Sequence, residues 1–171
     1  MSCARVVVAL SGSGRSLKNL IEYQKLKKSF EICGVISSNS TSYGVQIAKD
    51  HGLSLYVEKF LNKSEASKEL SLWLEKKKPD LIALAGFLKV FPTSFEHSSR
   101  GFCQYKTVNI HPSLLPKFSG KGMYGMKVHE AVLKAGEKVT GASIHFVTKV
   151  YDEGPLVDQV LVNVKSKDTA E

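Results

Sequence analysis

No stretch of the chain approaches the ~20 consecutive apolar residues that a membrane-spanning helix needs. The first apolar run, Arg5-Val6-Val7-Val8-Ala9-Leu10, is too short for the core of a secretion signal and follows no charged leader. A mature cytoplasmic protein is the expectation. Cysteine is scarce too: Cys3, Cys33 and Cys103 are odd in number and far apart. That excludes a disulfide framework and a C-x-x-C metal knuckle, and leaves Cys33 as a small hydrophobe in a strand. His97, His129 and His145 lack metal-ligand spacing with Asp, Glu or Cys, so no metal is expected.

Acidic residues are outnumbered, 16 against 24 Lys and Arg, for a net charge of +8. The lysines are dispersed, and Lys25-Leu26-Lys27-Lys28 and Lys76-Lys77-Lys78 stand where helices should end. There they complement the helix dipole. Aromatics do not interleave with them, so the stacking platform of a nucleic-acid binder is missing. Neither nucleic acid nor membrane is an expected partner; a diffuse positive field suits small anionic substrates.

What is present is an alternation of short β-rich runs with longer amphipathic stretches. The 171 residues, 43% apolar and 23% charged, suffice for one domain with a real core. Residues 5–10 are almost continuously apolar, as a strand buried on both faces should be. Ser11-Gly12-Ser13-Gly14 breaks the run, and Leu17, Leu20 and Ile21 follow at helical spacing. Further strands are expected at 30–37, 53–57, 80–85 and 107–110. Helices are expected at 43–51, closed by Gly52, at 64–78, opened by Ser64 and Glu65 and stopped by Pro79, and at 128–135 before Gly136. Residues 142–147 and 155–164 alternate more clearly and read as outer strands. The pattern predicts an α/β fold: a single-domain, Rossmann-like, mostly parallel sheet with helices on both faces and antiparallel strands near the C-terminus.

In open sheets of this kind ligands bind outside the carboxyl ends of the strands. Those ends carry Ser11-Gly12-Ser13-Gly14-Arg15-Ser16, then Ala85-Gly86-Phe87, then Asn109-Ile110-His111. The first loop opens a helix, and its backbone N–H groups can turn toward an anion. Leu17 takes the place of a third glycine, so a phosphate monoester fits better than a dinucleotide; a plain tight turn is the other reading. Asn109 and His111 alternate onto one face. An Asn amide suits a developing oxyanion, and a His beside it can carry a proton. Asp152, in Tyr151-Asp152-Glu153-Gly154-Pro155, is an ordinary turn residue unless the fold brings it to His111, where it could order a water.

At Asn109-Ile110-His111-Pro112-Ser113-Leu114-Leu115-Pro116 the chain resembles the phosphoribosylglycinamide formyltransferases, the folate-dependent enzymes of purine synthesis. The likeness also takes in Ser11-Gly12-Ser13-Gly14, Gly34-Val35-Ile36-Ser37-Ser38-Asn39, Leu84-Ala85-Gly86-Phe87, His145-Phe146-Val147 and Asp152-Glu153-Gly154-Pro155. The resemblance implies that Asn109, His111 and Asp152 are catalytic. It implies that Gly14, Arg15 and Ser16 hold a substrate phosphate. For the cosubstrate 10-formyltetrahydrofolate it implies Leu88, Lys89, Val90 and Phe91, together with Asn109 and Thr148, Lys149, Val150, Tyr151 and Asp152. The implied reaction needs no metal, and the expected partners are small molecules, bound by a monomer or a homodimer.

The chain departs from the family in three ways. Arg15-Ser16 replaces a Ser-Asn pair, Lys89 stands where Arg is frequent, and family members continue beyond the equivalent of Glu171 into a further helix. Gly120-Lys121-Gly122-Met123-Tyr124-Gly125 is expected to form a mobile flap. Among related activities, methionyl-tRNA formyltransferase carries an extra C-terminal domain and formyltetrahydrofolate deformylase an N-terminal one. A deformylase-like hydrolase and a non-catalytic phosphate-binding module are the alternatives to formyl transfer.

Overall fold

The computed structural model describes residues 3–59, 65–98 and 101–171, with Phe102 by its backbone alone. The chain divides into two compact units, residues 1–107 and 108–171.

In the first unit β1 (Ala4–Leu10), β2 (Phe30–Ser37), β3 (Leu55–Val57) and β4 (Leu81–Leu84) form a parallel array in the order β3-β2-β1-β4. Between them run α1 (Arg15–Lys27), α2 (Tyr43–Asp50) and α3 (Lys68–Lys77). The register of β1 on β2 jumps from Val6↔Ile32 to Val7↔Gly34, leaving Cys33 as the extra residue of a bulge. Ile32 and Val35 can therefore face the same side, where they join Val6, Val8, Leu10, Leu17, Ile21, Ile47 and Ala48 in one core. Gly34 points the other way: a Cβ there would lie 2.5 Å from the Trp73 ring of α3. Because side chains alternate across a strand, α3 covers the face opposite α1 and α2. The expected two-sided burial of β1 is met by Val7, Val8, Ala9 and Leu10, all fully buried.

Helix α3 starts later than its periodicity suggests. Ser64 lies outside the described residues, and the N-cap is Ser67, whose Oγ accepts from the Leu70 N–H at 3.2 Å. The same hydroxyl donates to Glu58 at 2.8 Å, which ties the cap to the loop after β3. A short hairpin of β5 (Phe95–His97) and β6 (Gly101–Cys103) was not expected. Its three-residue strands are too short to show alternation. It is held instead by Phe95, packed tilted on Phe91 and edge-to-face on Tyr105, and by the Ser71 hydroxyl accepting from the Glu96 N–H.

The second unit holds β7 (Thr107–His111) from Val108 onward, α4 (Met126–Lys134), β8 (Val139–Phe146) and β9 (Leu156–Asn163). Its strand pairs β7–β8 and β8–β9 are both antiparallel. The α/β class, the parallel strands and the antiparallel C-terminal strands are those read from the sequence. Among the described residues no helix is long and apolar enough to cross a membrane.

Candidate active site

In the first unit Ser11 gathers the carboxyl ends of three strands. Its N–H donates to the Gly86 carbonyl at 3.1 Å, and its hydroxyl accepts from the Leu88 N–H at 2.8 Å. The same hydroxyl shares a 2.6 Å hydrogen bond with Ser38, just past β2. The loops after β1, β2 and β4 are thus linked through one side chain. Gly14 follows at φ 72 and caps α1; a Cβ on it would meet the Gly44 Cα at 2.6 Å, so both conformation and space require glycine. The first bond of the helix runs from the Lys18 N–H to the Gly14 carbonyl, which leaves the N–H groups of Arg15, Ser16 and Leu17 aimed out of its start. No acidic residue occupies that first turn, and Arg15 is exposed beside it. This is anion-binding geometry. Leu88 and Lys89 are exposed, Val90 is half-buried, and Phe91 is buried against Phe87 and Phe95. The Phe91 side chain therefore anchors this segment.

In the second unit the β7–β8 register sets Asn109 opposite His145 and His111 opposite Ser143, so all four share one face. Asp152 reaches them from the turn after β8, in a left-handed conformation (φ 55) that is uncommon outside glycine. His111 Nδ1 lies 3.6 Å from Asp152 Oδ2, and His145 Nε2 lies 3.5 Å from Asp152 Oδ1. Asn109 Nδ2 is 3.1 Å from the same His145 Nε2. Both imidazoles have a carbonyl on their other nitrogen: His111 Nε2 donates to Phe118 at 2.8 Å and His145 Nδ1 to Phe146 at 3.0 Å. A carbonyl only accepts, so each bond places a ring hydrogen. With Nε2 unprotonated, His145 accepts from the Asn109 amide and so orients it with its donor end inward; with Nε2 protonated, His145 donates to Asp152 instead. For His111 the Phe118 bond leaves Nδ1 turned to the Asp152 carboxylate. Burial by itself pushes the Asp152 carboxyl up. The hydrogen bonds from His145 and the Gly120 N–H, with the charges of both imidazoles, outweigh burial and hold it below the usual carboxylate range.

Asn109, His111 and Asp152 are therefore brought together. Thr148, Lys149, Val150 and Tyr151 lie in the turn that carries Asp152, with Val150 and Tyr151 about half exposed. Gly14, Arg15, Ser16 and the segment 88–91 belong to the first unit. Sequence reasoning missed His145, which bridges Asn109 and Asp152 and is only 2% exposed. It also missed Ser143, whose buried hydroxyl donates to the Ser113 carbonyl and accepts from Leu115 N–H and Gln159 Nε2. A signal existed: Ser143 and His145 are two apart in an alternating strand. Among the described residues no group of three or more His, Cys, Asp or Glu is arranged to hold a metal ion.

An α/β chain with an amide, two imidazoles and a carboxylate converging on one strand pair can stabilise an oxyanion and move a proton. The formyl transferase family pattern matches residues 4–171, and the chain belongs to that family. Within it, the chain is similar to phosphoribosylglycinamide formyltransferases. The chloroplastic protein of that name from Vigna unguiculata is 37% identical over 174 residues, a match covering 98% of this chain and 54% of that protein. The trifunctional purine biosynthetic protein adenosine-3 of Gallus gallus is 36% identical over 171 residues, covering 98% of this chain and 16% of that one. The crystal structure of phosphoribosylglycinamide formyltransferase from Anaplasma phagocytophilum superposes with a TM-score of 0.80 at 34% identity, covering 99% of this chain and 76% of that one. The chain spans about half the length of the Vigna protein.

Proposed function

We propose that this chain transfers the formyl group of 10-formyltetrahydrofolate to the primary amine of N1-(5-phosphoribosyl)glycinamide, a step of purine synthesis. The observation that carries the reading is the cluster of Asn109 and Asp152 around the buried His111 and His145. In this reaction the amine attacks the formyl carbon, the carbonyl oxygen becomes an oxyanion, and the folate nitrogen leaves with a proton. The Asn109 amide, oriented by His145, and the His111 imidazole are the donors for that oxyanion. Asp152 stays ionised beside them and steers a proton, through a water, from the attacking amine to the leaving nitrogen. Gly14, Arg15 and Ser16 hold the phosphate through backbone N–H groups and the Arg15 charge. For the folate, exposed Leu88, Lys89, Val150 and Tyr151 are the side chains we assign. The same reading has the chain acting on small molecules, in the cytoplasm.

The experiment follows folate absorbance as the chain is mixed with 10-formyltetrahydrofolate, with and without the amine. Turnover that requires the amine is expected, with Asn109→Ala slower by about a hundredfold or more, as for loss of one oxyanion donor, and His111→Ala inactive. Turnover without the amine would identify a hydrolase instead. Binding of the phosphate substrate without any turnover would leave a binding module.

A further inference from the structure

His111, Ser143 and Gln159 stand in one row across the second unit. The β7–β8 register pairs His111 with Ser143, and the β8–β9 register pairs Ser143 with Gln159. Residues paired across antiparallel strands share a face, so Gln159 lies on the side of the sheet that carries Asn109 and His145. Strand β9 is exposed at every other position; Gln159 alone is half-buried.

The polarity of the bonds around Gln159 is fixed. Its Nε2 lies 2.8 Å from the Ser143 Oγ and 3.2 Å from the Leu115 carbonyl. A carbonyl only accepts, and the Ser143 hydroxyl gives its one hydrogen to the Ser113 carbonyl at 2.6 Å. The amide therefore turns its amino end to both partners and uses both hydrogens. Ser143 also accepts from the Leu115 N–H at 2.9 Å, and the fully buried Ser113 donates its hydroxyl hydrogen to the Lys117 carbonyl at 2.7 Å. The turn after β7 is thus pinned to β8 and β9 at Ser113 and Leu115 and closed on itself at Lys117. The next carbonyl along, that of Phe118, accepts the His111 Nε2–H at 2.8 Å. A histidine's tautomer and orientation follow from the bond that its other nitrogen makes. With the hydrogen held on Nε2, Nδ1 is the nitrogen that faces Asp152, at 3.6 Å.

We propose that Gln159 is a positioning residue for formyl transfer. From two strands away, through Ser143 and the turn at 113–118, it holds the His111 ring with Nδ1 facing Asp152. This deepens the reading of His111 as a donor and rests on it. A whole strand separates Gln159 from His111, so its loss misplaces the imidazole without removing a binding group. A small misplacement at a distance from the chemistry costs up to about a hundredfold in rate.

Gln159→Met tests this, because it keeps the length of the side chain and removes both donors. The expected result is a kcat lowered by about tenfold to a hundredfold, with KM for both substrates within about twofold of wild type. A wild-type kcat would overturn the proposal. So would a raised KM at constant kcat, which would make Gln159 part of a binding surface. A second measurement reads the ring itself, in protein whose histidines carry nitrogen-15. The His111 signal should report Nε2–H in wild type. In Gln159→Met that hydrogen should exchange with water about tenfold faster, while the His51 signal, from the end of α2, stays in place and shows the fold intact. Slow turnover with an unaltered His111 signal would mean that Gln159 serves stability alone. Gln159→Asn retains an amide one methylene short and guards against a Met variant that does not fold; its kcat and its ring exchange should both fall between those of wild type and Gln159→Met. Rates that vary across the series without the ring signal contradict the assignment. If His111→Ala transfers formyl groups as fast as wild type, the functional reading fails and the positioning role with it. If His111→Ala is inactive and Gln159→Met is fully active, the positioning role alone fails.

Discussion

Asp152 illustrates how much one side chain can depend on its neighbours. It is a carboxylate about 10% exposed, and burial alone would favour its neutral form. Two imidazoles and a backbone N–H reverse that preference and hold its folded-state pKa below the unfolded value. For a carboxylate shifted downward, the stabilisation is fully present above the unfolded pKa, about 4, and is lost as pH falls through the lower folded value. Wild type should therefore be more stable than Asp152→Asn at neutral pH, with the gap closing in acid. Thermal melts from pH 7 down to pH 2 would check this; a gap that widens in acid would contradict the assigned contacts. Ser143 is the structural counterpart. Its hydroxyl makes one donated and two accepted bonds, the most a serine can make. Ser143→Ala should cost about 1–3 kcal/mol in urea unfolding, because the Leu115 N–H and the Ser113 carbonyl lose a buried partner. At this scale the sequence was partly legible. Alternation alone put Asn109 and His111 on one face, but which residue stands across the ladder depends on register. That is why His145 escaped notice and why Asp152 read as an ordinary turn residue until the resemblance gave it a role.

Elements were more legible than residues, because hydrophobic period reports on burial and burial is what shapes them. Strand β2 was readable at both ends, since Phe30 begins an apolar run and Ser37 closes it. The β5–β6 hairpin was not, because its stability comes from Phe95 packing on distant aromatics. The start of α3 was misjudged for a related reason: Ser64, Glu65 and Ser67 all look like start signals, and only the bond from Leu70 distinguishes Ser67. The turn into α1 gives a sharper test of element-level reasoning. Gly14→Ala puts a Cβ 2.6 Å from the Gly44 Cα and forces alanine to φ 72. Strain and overpacking together should destabilise the chain by about 2–3 kcal/mol. Gly12→Ala, two residues earlier in the same loop, meets nothing within 4 Å and should change stability by under about 0.5 kcal/mol. Equal costs at the two positions would show that α1 and α2 do not approach each other as described.

At the scale of the whole molecule the net charge of +8 is the property least tied to any contact. Part of it lies where the helix ends predicted it, with Lys25 and Lys27 in the last turn of α1 and Lys76 and Lys77 in that of α3. Those lysines complement helix dipoles locally, which explains their position but not the excess of positive charge overall. A field of this sign attracts anions, and both substrates of the proposed reaction are anionic, one through its phosphate and the other through its carboxylates. Steering acts on encounter, so it raises kcat/KM and leaves kcat alone. Salt shortens its range, from a screening length of about 30 Å at 0.01 M to about 8 Å at physiological strength. Raising salt across that range should lower kcat/KM for the phosphorylated amine by roughly tenfold or more at constant kcat. Arg15→Ala should lower kcat/KM at every salt concentration while leaving the slope on salt nearly unchanged, since it removes one local contact from a distributed field. A slope that collapses in Arg15→Ala would mean instead that the salt sensitivity belongs to the α1 turn, and that the remaining charge serves only solubility.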